Sequence, residues 1–490
     1  MRPESPLVLA IDIGTSYIRA AVVDHCGTLL SYARQAQVLI TDDSGKAEHD
    51  PECLFRVTCE VSRQVSMEYR DRIDTVSVSA YQLGMLAVDR SYNPLTGIIT
   101  LLDTRARTTH HQLCERIDMR RIYEVTGCPP LYHYPLAKID WLRSTDPHTF
   151  KQAKLFLGVK DYLVFRLLGR PFTEPSTACA TQMLNVKSLE WDPAAIDAVG
   201  LDTTNLPDLV PSDKVIGQIS NASCDLLGVR IGTSLVPGVY DGGAVALGLG
   251  VFEADSVVNF GTTAMLRTAR RRPTVDAGPS MALQTYYLAQ DTWLPGAAIN
   301  NAGVVLSWLR DNLLGGTYEE LTEEAASVKN SAGLVMLPFL SGERNPEIGS
   351  LASGVFSGLR ANHHRGHILR AALEGVVFAL CLVRDALLRN NIPLGTVRVG
   401  GGAARSSLWM TMLSTAFDTN VQVSCSSEPG LLGAAMVGHT AAGRYSSVRE
   451  ASCAMTEAGQ LYQPDPKLAE EMSAQYEVFK DLVDLLGTSK

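Results

Sequence analysis

The feature that most constrains this chain is a short phrase that occurs once in each half. Asp12-Ile13-Gly14-Thr15-Ser16 follows the apolar run Leu7-Val8-Leu9-Ala10-Ile11, and Asn259-Phe260-Gly261-Thr262-Thr263 follows Val257-Val258. An apolar run, a Gly-Thr corner and a second apolar run predict a strand, a tight turn and a returning strand. In the first copy the returning strand is Tyr17 to Val23, and a turn at Asp24-His25-Cys26-Gly27 sends Thr28-Leu29-Leu30 back again. A single corner of this kind is an ordinary hairpin. Two in corresponding places predict two related half-molecules, with a boundary near Gly250 to Glu253 and domains of residues 1–250 and 251–490.

A Gly-Thr corner suits an anion. Glycine lets the backbone approach closely, successive N–H groups make a concave donor surface, and threonine hydroxyls add donors without a lysine. Two such corners facing each other would hold a polyphosphate. The copies differ where the first strand ends, at Asp12 in one and Asn259 in the other. A carboxylate buried at a strand end needs a cation or strong donors. A nucleotide-bound Mg²⁺ is one such partner, and Arg19 is the alternative.

A chain of 490 residues with 46% hydrophobic and 19% charged residues has an ordinary globular balance and ample core. The net charge of −9 offers no footprint for nucleic acid or an anionic membrane, and Arg270-Arg271-Arg272 reads as a solvated loop. No run approaches the ~18 apolar residues of a membrane span. The ten cysteines contain no C-x-x-C pair, so reduced thiols in a cytoplasmic protein are the expectation. His363-His364 with His367 imitates metal spacing but reads as a solvated helix start.

Short apolar runs alternate with amphipathic stretches, as in an α/β protein. Strands are expected at 75–79, at 85–89 and 98–102 as neighbours around Asn93-Pro94, at 235–236, 334–337 and 397–399. Helices are expected over 150–168, 298–314, 366–389, after Ala403, and beyond 465. Asp241 follows a strand and precedes Gly242-Gly243-Ala244, small residues that leave room for a substrate. It is the candidate general base, with a helix N-cap as the plain alternative. Gly400-Gly401-Gly402-Ala403 with Ser406 predicts a strand-to-helix turn open to a flat ligand such as adenine. The chain carries no G-x-x-x-x-G-K-[ST], and the triple glycine lacks G-x-G-x-x-G spacing.

Taken together, these phrases resemble the FGGY family of carbohydrate kinases, over Asp12 to about Gly443. The resemblance implies an α/β fold of two ribonuclease-H-like domains, of the actin, hexokinase and Hsp70 superfamily, with ATP in the cleft between them. It implies Asp12 beside Mg²⁺, Gly14, Thr15 and Ser16 as the first phosphate motif, and Gly261, Thr262 and Thr263 as the second. It also implies Asp241 as catalytic base, Gly401, Gly402, Ala403 and Ser406 at the adenosine, and Asn301 as a further nucleotide contact. Ala298 to Asp311 and Thr126 to Lys138 are similar to gluconate kinases, and Leu337 to Arg344 fits both gluconate and xylulose kinases. Members of both types usually carry Met-His where this chain has Gln82-Leu83, and a tryptophan where it has Leu101. Substrate identity is therefore the open point, with Gln82, Leu83, Asp103, Arg105, His133 and Asp241 as the substrate-binding candidates. If the substrate is gluconate, Arg105, Lys138 or Arg344 would meet its carboxylate. The expected activity is ATP-dependent phosphorylation of a terminal hydroxyl of a small open-chain sugar or sugar acid. A ketopentose substrate or a sensor without turnover are the alternatives. The expected partner is a small molecule; homodimerisation is left open.

Overall fold

The computed structural model of the protein describes residues 5–486. Both halves build the same five-stranded core. In the first, β1 (Leu7–Ile13), β2 (Tyr17–Val23) and β3 (Leu29–Ala36) form an antiparallel meander. Two strands, β4 (Ile73–Ala80) and β5 (Ser234–Val236), extend the sheet in parallel from the other edge of β1. In the second, β6 (Ser256–Phe260), β7 (Ala264–Thr268) and β8 (Thr292–Ile299) form the meander. Here β9 (Val397–Gly400) and β10 (Val421–Ser424) run parallel beyond β6. Gly217–Gln218 edges the first sheet, and Gln284–Ala289 and Ala458–Tyr462 flank the second. This duplicated arrangement is the actin, hexokinase and Hsp70 ATPase fold. The central strand β1 is buried along its whole length, which explains why its sequence is a nearly unbroken apolar run.

Strand register shows how the copies correspond. Asp12 lies opposite Arg19 on β2 and Ser79 on β4; Asn259 lies opposite Met265 on β7 and Gly400 on β9. The triple glycine therefore takes, in the second half, the place that Ser79-Ala80-Tyr81 has in the first. By the same logic α1 (Asp241–Gly248), after β5, corresponds to α2 (Pro429–Ala441), after β10.

These two helices cross at glycines. A Cβ on Gly433 would lie 1.9 Å from the Ala244 carbonyl oxygen, and one on Gly248 would lie 1.9 Å from that of Pro429. Around the crossing, Val8 and Ala10 of β1 pack with Ala244, Leu247, Leu431 and Val437 in one buried cluster shared by both halves. Each half also has a core of its own, under the helix Pro51–Ser66 in the first and the helix Arg365–Arg389 in the second.

Several elements differ from sequence expectation. The 150–168 stretch is not one helix: a buried strand, Leu155–Leu157, separates the helices Pro147–Gln152 and Val159–Leu168, because it pairs with Leu86–Val88. Ile98–Ile99 pairs instead with Ala47–His49, so the 85–89 and 98–102 runs meet only at a Met85–Ile99 bridge. The 298–314 stretch begins as the end of β8, becomes α-helical only over Gly303–Leu309, and finishes as a π-helical turn, Arg310–Leu314. His364 caps the Arg365–Arg389 helix, its ring Nδ1 lying 3.3 Å from the Gly366 amide.

Candidate active site

A cleft of about 350 Å³ opens between the halves and is lined by residues of both. At one end the two corners face it. Gly14 N–H closes the first onto Tyr17 O at 2.9 Å, and Gly261 N–H closes the second onto Thr263 O at 2.9 Å. Closure leaves the amides of Thr15, Ser16, Thr262 and Thr263 without a protein acceptor among the described residues. Gly14, Thr15, Asn259, Gly261 and Thr263 line the cleft. Ser16 and Thr262 stand at the exposed rims of their turns. The start of the Gly303–Leu309 helix braces the second corner from behind, with Ala302 N–H and Val304 N–H donating to Thr262 O at 3.2 Å.

Two carboxylates share the floor. Asp12 is 8% exposed, and its Oδ2 takes a long contact, 3.3 Å, from Arg19 Nη1, a guanidinium that Glu428 also engages at 3.5 Å. Its buried Oδ1 makes no hydrogen bond. Burial pushes the Asp12 pKa up, against the Arg19 charge and the nearby Ser79 hydroxyl, which pull it down. An acceptor orphaned in this way fits a hydrated divalent cation, and Asn259, its counterpart, could not supply the charge. Asp241 opens α1, and its Oδ1 accepts the Gly242 N–H at 2.8 Å. Loss of solvent, and secondarily the Asp12 charge, raise its pKa to about 7. A carboxylate poised near neutrality over a cleft is suited to accept a hydroxyl proton.

Gln82, Leu83 and His133 line the other end. Gln82 Nε2 donates to Ser176 O at 2.9 Å. Leu83 holds φ at +68°. His133 stacks on Tyr132 at 3.9 Å, and burial keeps its pKa well below the usual imidazole value, with the Arg344 charge adding to the effect. Its Nδ1 and the Tyr240 hydroxyl are buried without partners, which suits the hydroxyls of a polyol chain. Asp103 and Arg105 do not line the cleft. They form a pair 2.7 Å apart, Asp103 buried and Arg105 half-buried, in which Arg105 also reaches Glu48 while Asp103 accepts the Ala47 N–H at 2.9 Å. Lys138 is likewise turned away. Its Nζ donates to the carbonyls of Leu83, Ile99 and Thr100, and burial lowers its pKa to about 7. Of the three cations expected for a carboxylate, only Arg344 lines the cleft.

The remaining sequence candidates lie in the second half. Gly401 has φ +97°, and a Cβ there would meet the Phe260 carbonyl oxygen at 2.4 Å, so glycine lets the triple-glycine turn press on the end of β6. Gly402 faces open space, and Ala403 lies beside it. Ser406 Oγ caps the helix Ser407–Phe417 by accepting the Trp409 N–H at 3.2 Å. Asn301 is fully buried. It donates to Gly342 O at 2.8 Å and accepts the Ser341 N–H at 3.0 Å, pinning the Ser341 to Arg344 loop.

The cleft also holds residues that the sequence reading missed, among them Tyr134, Met265, Arg267 and Tyr286. Strand alternation carried a signal for two of them. Counting by twos from Thr263 along β7 puts Met265 and Arg267 on the same face. Tyr134 and Tyr286, whose hydroxyls are 3.0 Å apart, come from different halves, and no local pattern announces that pairing.

Free backbone donors on two corners, an orphaned carboxylate oxygen and a near-neutral carboxylate lining the same cleft are the arrangement of a two-domain phosphotransferase. The particular family follows from comparison with known proteins. The model of the FGGY family of carbohydrate kinases, N-terminal domain, matches residues 7–248, and that of the C-terminal domain matches residues 256–442. This chain belongs to the FGGY family of carbohydrate kinases. A gluconokinase of Bacillus subtilis (strain 168) is 31% identical over 455 residues, covering 90% of this chain and 88% of that protein. Among solved structures, gluconate kinase and ligand-bound xylulose kinase, both from Lactobacillus acidophilus, are each 26% identical. Each superposes with a TM-score of 0.94 over 99% of both chains. The protein is a sugar kinase using ATP. No helix among the described residues is long and apolar enough to cross a membrane.

Proposed function

We propose that this kinase transfers the γ-phosphoryl group of ATP to a terminal hydroxyl of an open-chain sugar acid, gluconate in the first instance. The observation that carries the reading is the position of Asp241, near-neutral in pKa and on the cleft floor beside the two sets of unpaired amides. In this scheme the corners Gly14 to Ser16 and Gly261 to Thr263 hold the phosphates by their N–H groups. The Gly401-Gly402-Ala403 turn receives the adenosine. Asp12, through Oδ1, would hold Mg²⁺, which when bound neutralises charge on the phosphate oxygens. Asp241 orients the acceptor hydroxyl and takes its proton as the phosphoryl group leaves ATP. Gln82 and His133 bind the carbon chain, while Asp103 and Arg105 brace the wall behind them.

Gluconate is favoured by the gluconokinase relatives at 30–31% identity, and Arg344, in a stretch that fits both kinds of kinase, is a cleft cation available to its carboxylate. Xylulose is the second reading, supported by the equal TM-score of the xylulose kinase structure. Ten free cysteines accord with a cytoplasmic setting. A coupled ADP-release assay over gluconate, xylulose, ribulose and glycerol tests the reading. Gluconate is expected to give the highest kcat/KM, and a higher value for any uncharged acceptor would replace it.

A further inference from the structure

Two guanidiniums that line the cleft have no ion-pair partner among the described residues. Elsewhere in the molecule several deeply buried charged side chains are neutralised, Lys160 by Glu174 at 2.6 Å, Arg370 by Glu374 at 2.7 Å, and Asp140 by Arg116 at 2.6 Å and Arg143 at 2.8 Å, whereas Lys138 rests on three carbonyls. Arg267 is 3% exposed and lines the cleft, yet it has no ion-pair partner among the described residues. Its Nη1 donates to the carbonyls of Gln284 and Leu294 at 3.2 and 3.0 Å, and its Nη2 to Gln284 Oε1 at 2.7 Å. Its guanidinium lies 4.4 Å from the centre of the Tyr286 ring, and its Nε is buried without a partner.

Arg344 is the second unneutralised guanidinium. Its only hydrogen bond among the described residues runs from Nε to Asn300 Oδ1 at 2.6 Å. The neighbouring Glu343 carboxylate is occupied instead with the backbone N–H groups of Asn300, at 2.9 and 3.0 Å, and of Arg344, at 2.8 Å. The acids nearby are Glu343 and the cleft carboxylates Asp241 and Asp12, and none of them pairs with either guanidinium among the described residues. A guanidinium taken out of water without an ion-pair partner is costly, so this arrangement makes sense as one half of an interaction with an anion.

We infer that Arg267 and Arg344 form a two-arginine receptor for the carboxylate of a sugar acid and are the residues that select an aldonate over an uncharged ketose or polyol. The inference rests on the acceptor-site reading above and adds the residues that set its preference. Arg267 arrives on β7, from the strand that leaves the second phosphate corner, and Arg344 from the loop pinned by Asn301. Rigid strand and pinned loop would hold both forks where a planar carboxylate can bridge them. The competing ligand is a phosphate oxygen of ATP, which shares the anionic chemistry and is distinguished by the test.

Arg344→Gln and Arg267→Lys, with Arg267→Met as a harsher variant, are compared with the unaltered enzyme. Melting temperatures establish that each variant is folded, and KM and kcat are read separately for gluconate, xylulose and ATP. The expected result is a fall of roughly 30-fold or more in the ratio of kcat/KM for gluconate to that for xylulose, carried by KM for gluconate, with Arg267→Lys milder than Arg267→Met. An equal loss for both acceptors, or a rise in KM for ATP matching that for gluconate, would assign the arginines to the phosphates and overturn the inference. If the unaltered enzyme turns over neither acceptor, the kinase reading of the substrate fails on its own. The receptor is then decided by calorimetric titration with gluconate in the absence of nucleotide: binding lost in Arg344→Gln supports it, and no binding to the unaltered protein rejects it.

Discussion

At the scale of single residues, the decisive contrast is between Asp12 and Asp241, two carboxylates lining one cleft in different settings. Asp12 keeps one oxygen near Arg19 and one with no hydrogen bond, the arrangement of a cation ligand. Asp241 is lifted to about pH 7 by desolvation first and by the Asp12 charge second, the arrangement of a base. Asp241→Asn should lower kcat ~10²-fold or more while leaving ATP affinity nearly unchanged, as measured by steady-state kinetics and nucleotide titration. In the unaltered enzyme kcat/KM should fall as pH drops below about 7, because the base must be deprotonated, and Mg²⁺ should move that limb to lower pH by offsetting the Asp12 charge. The stability sign is opposite. A folded-state value of about 7 against an ordinary 3.8 means that folding favours the neutral carboxyl, so its contribution is complete below pH 4 and lost as pH rises through 7. Asp241→Asn should therefore raise the melting temperature of the nucleotide-free protein relative to the unaltered chain more at pH 8 than at pH 5. Both aspartates were legible in the sequence because a carboxylate at a strand end needs a reason. Arg267 was harder to see, since one arginine in a strand looks like many others until its lack of an ion-pair partner is known.

At the scale of elements, the site depends on how closely two helices approach. Asp241 is the first residue of α1, so its position is set by the crossing of α1 with α2, where Gly433 and Gly248 admit backbone to within contact distance. Gly433→Ala would put a methyl 1.9 Å from the Ala244 carbonyl oxygen. The helices would have to part, at a cost of about 1–3 kcal/mol or more. Calorimetry should show a melting temperature lower by several degrees, and kcat should fall further than KM changes, because the base moves with its helix. Wild-type values for both would show that the crossing is slack. The paired hairpins and the strand-to-helix turn at Gly400 were legible as elements, since glycine corners and apolar runs are local signals. The strand inside 150–168 and the short helix at 303–309 were not. Each is decided by a distant partner: Leu86–Val88 in the first case, and in the second the second Gly-Thr corner, where Thr262 O accepts the Ala302 and Val304 amides.

At the scale of the whole molecule, the protein is a duplicated sheet whose two copies have diverged in charge and in task. The first copy puts Ser79-Ala80-Tyr81, with Tyr81 lining the cleft, where the second puts the bare triple glycine, so a pseudo-symmetric frame offers two unlike surfaces to a ligand. Because the lining comes from both halves, closing them should exclude water from the transferred group. Small-angle scattering should show a smaller radius of gyration with a non-hydrolysable ATP analogue and gluconate together than with either alone; an unchanged radius would mean that the cleft works without closure. The amino-acid sequence by itself determined the α/β class, the repetition, the two Gly-Thr corners and the two acidic residues beside them, because each is written in residues close together along the chain. Only the tertiary structure decided which cations reach the cleft. It turned Lys138 onto three carbonyls and tied Arg105 to Asp103, while leaving Arg267 and Arg344 without an ion-pair partner among the described residues. The reason is physical: a charge is available to a ligand only when its neighbours in space leave it unneutralised, and those neighbours come from segments far apart in the chain.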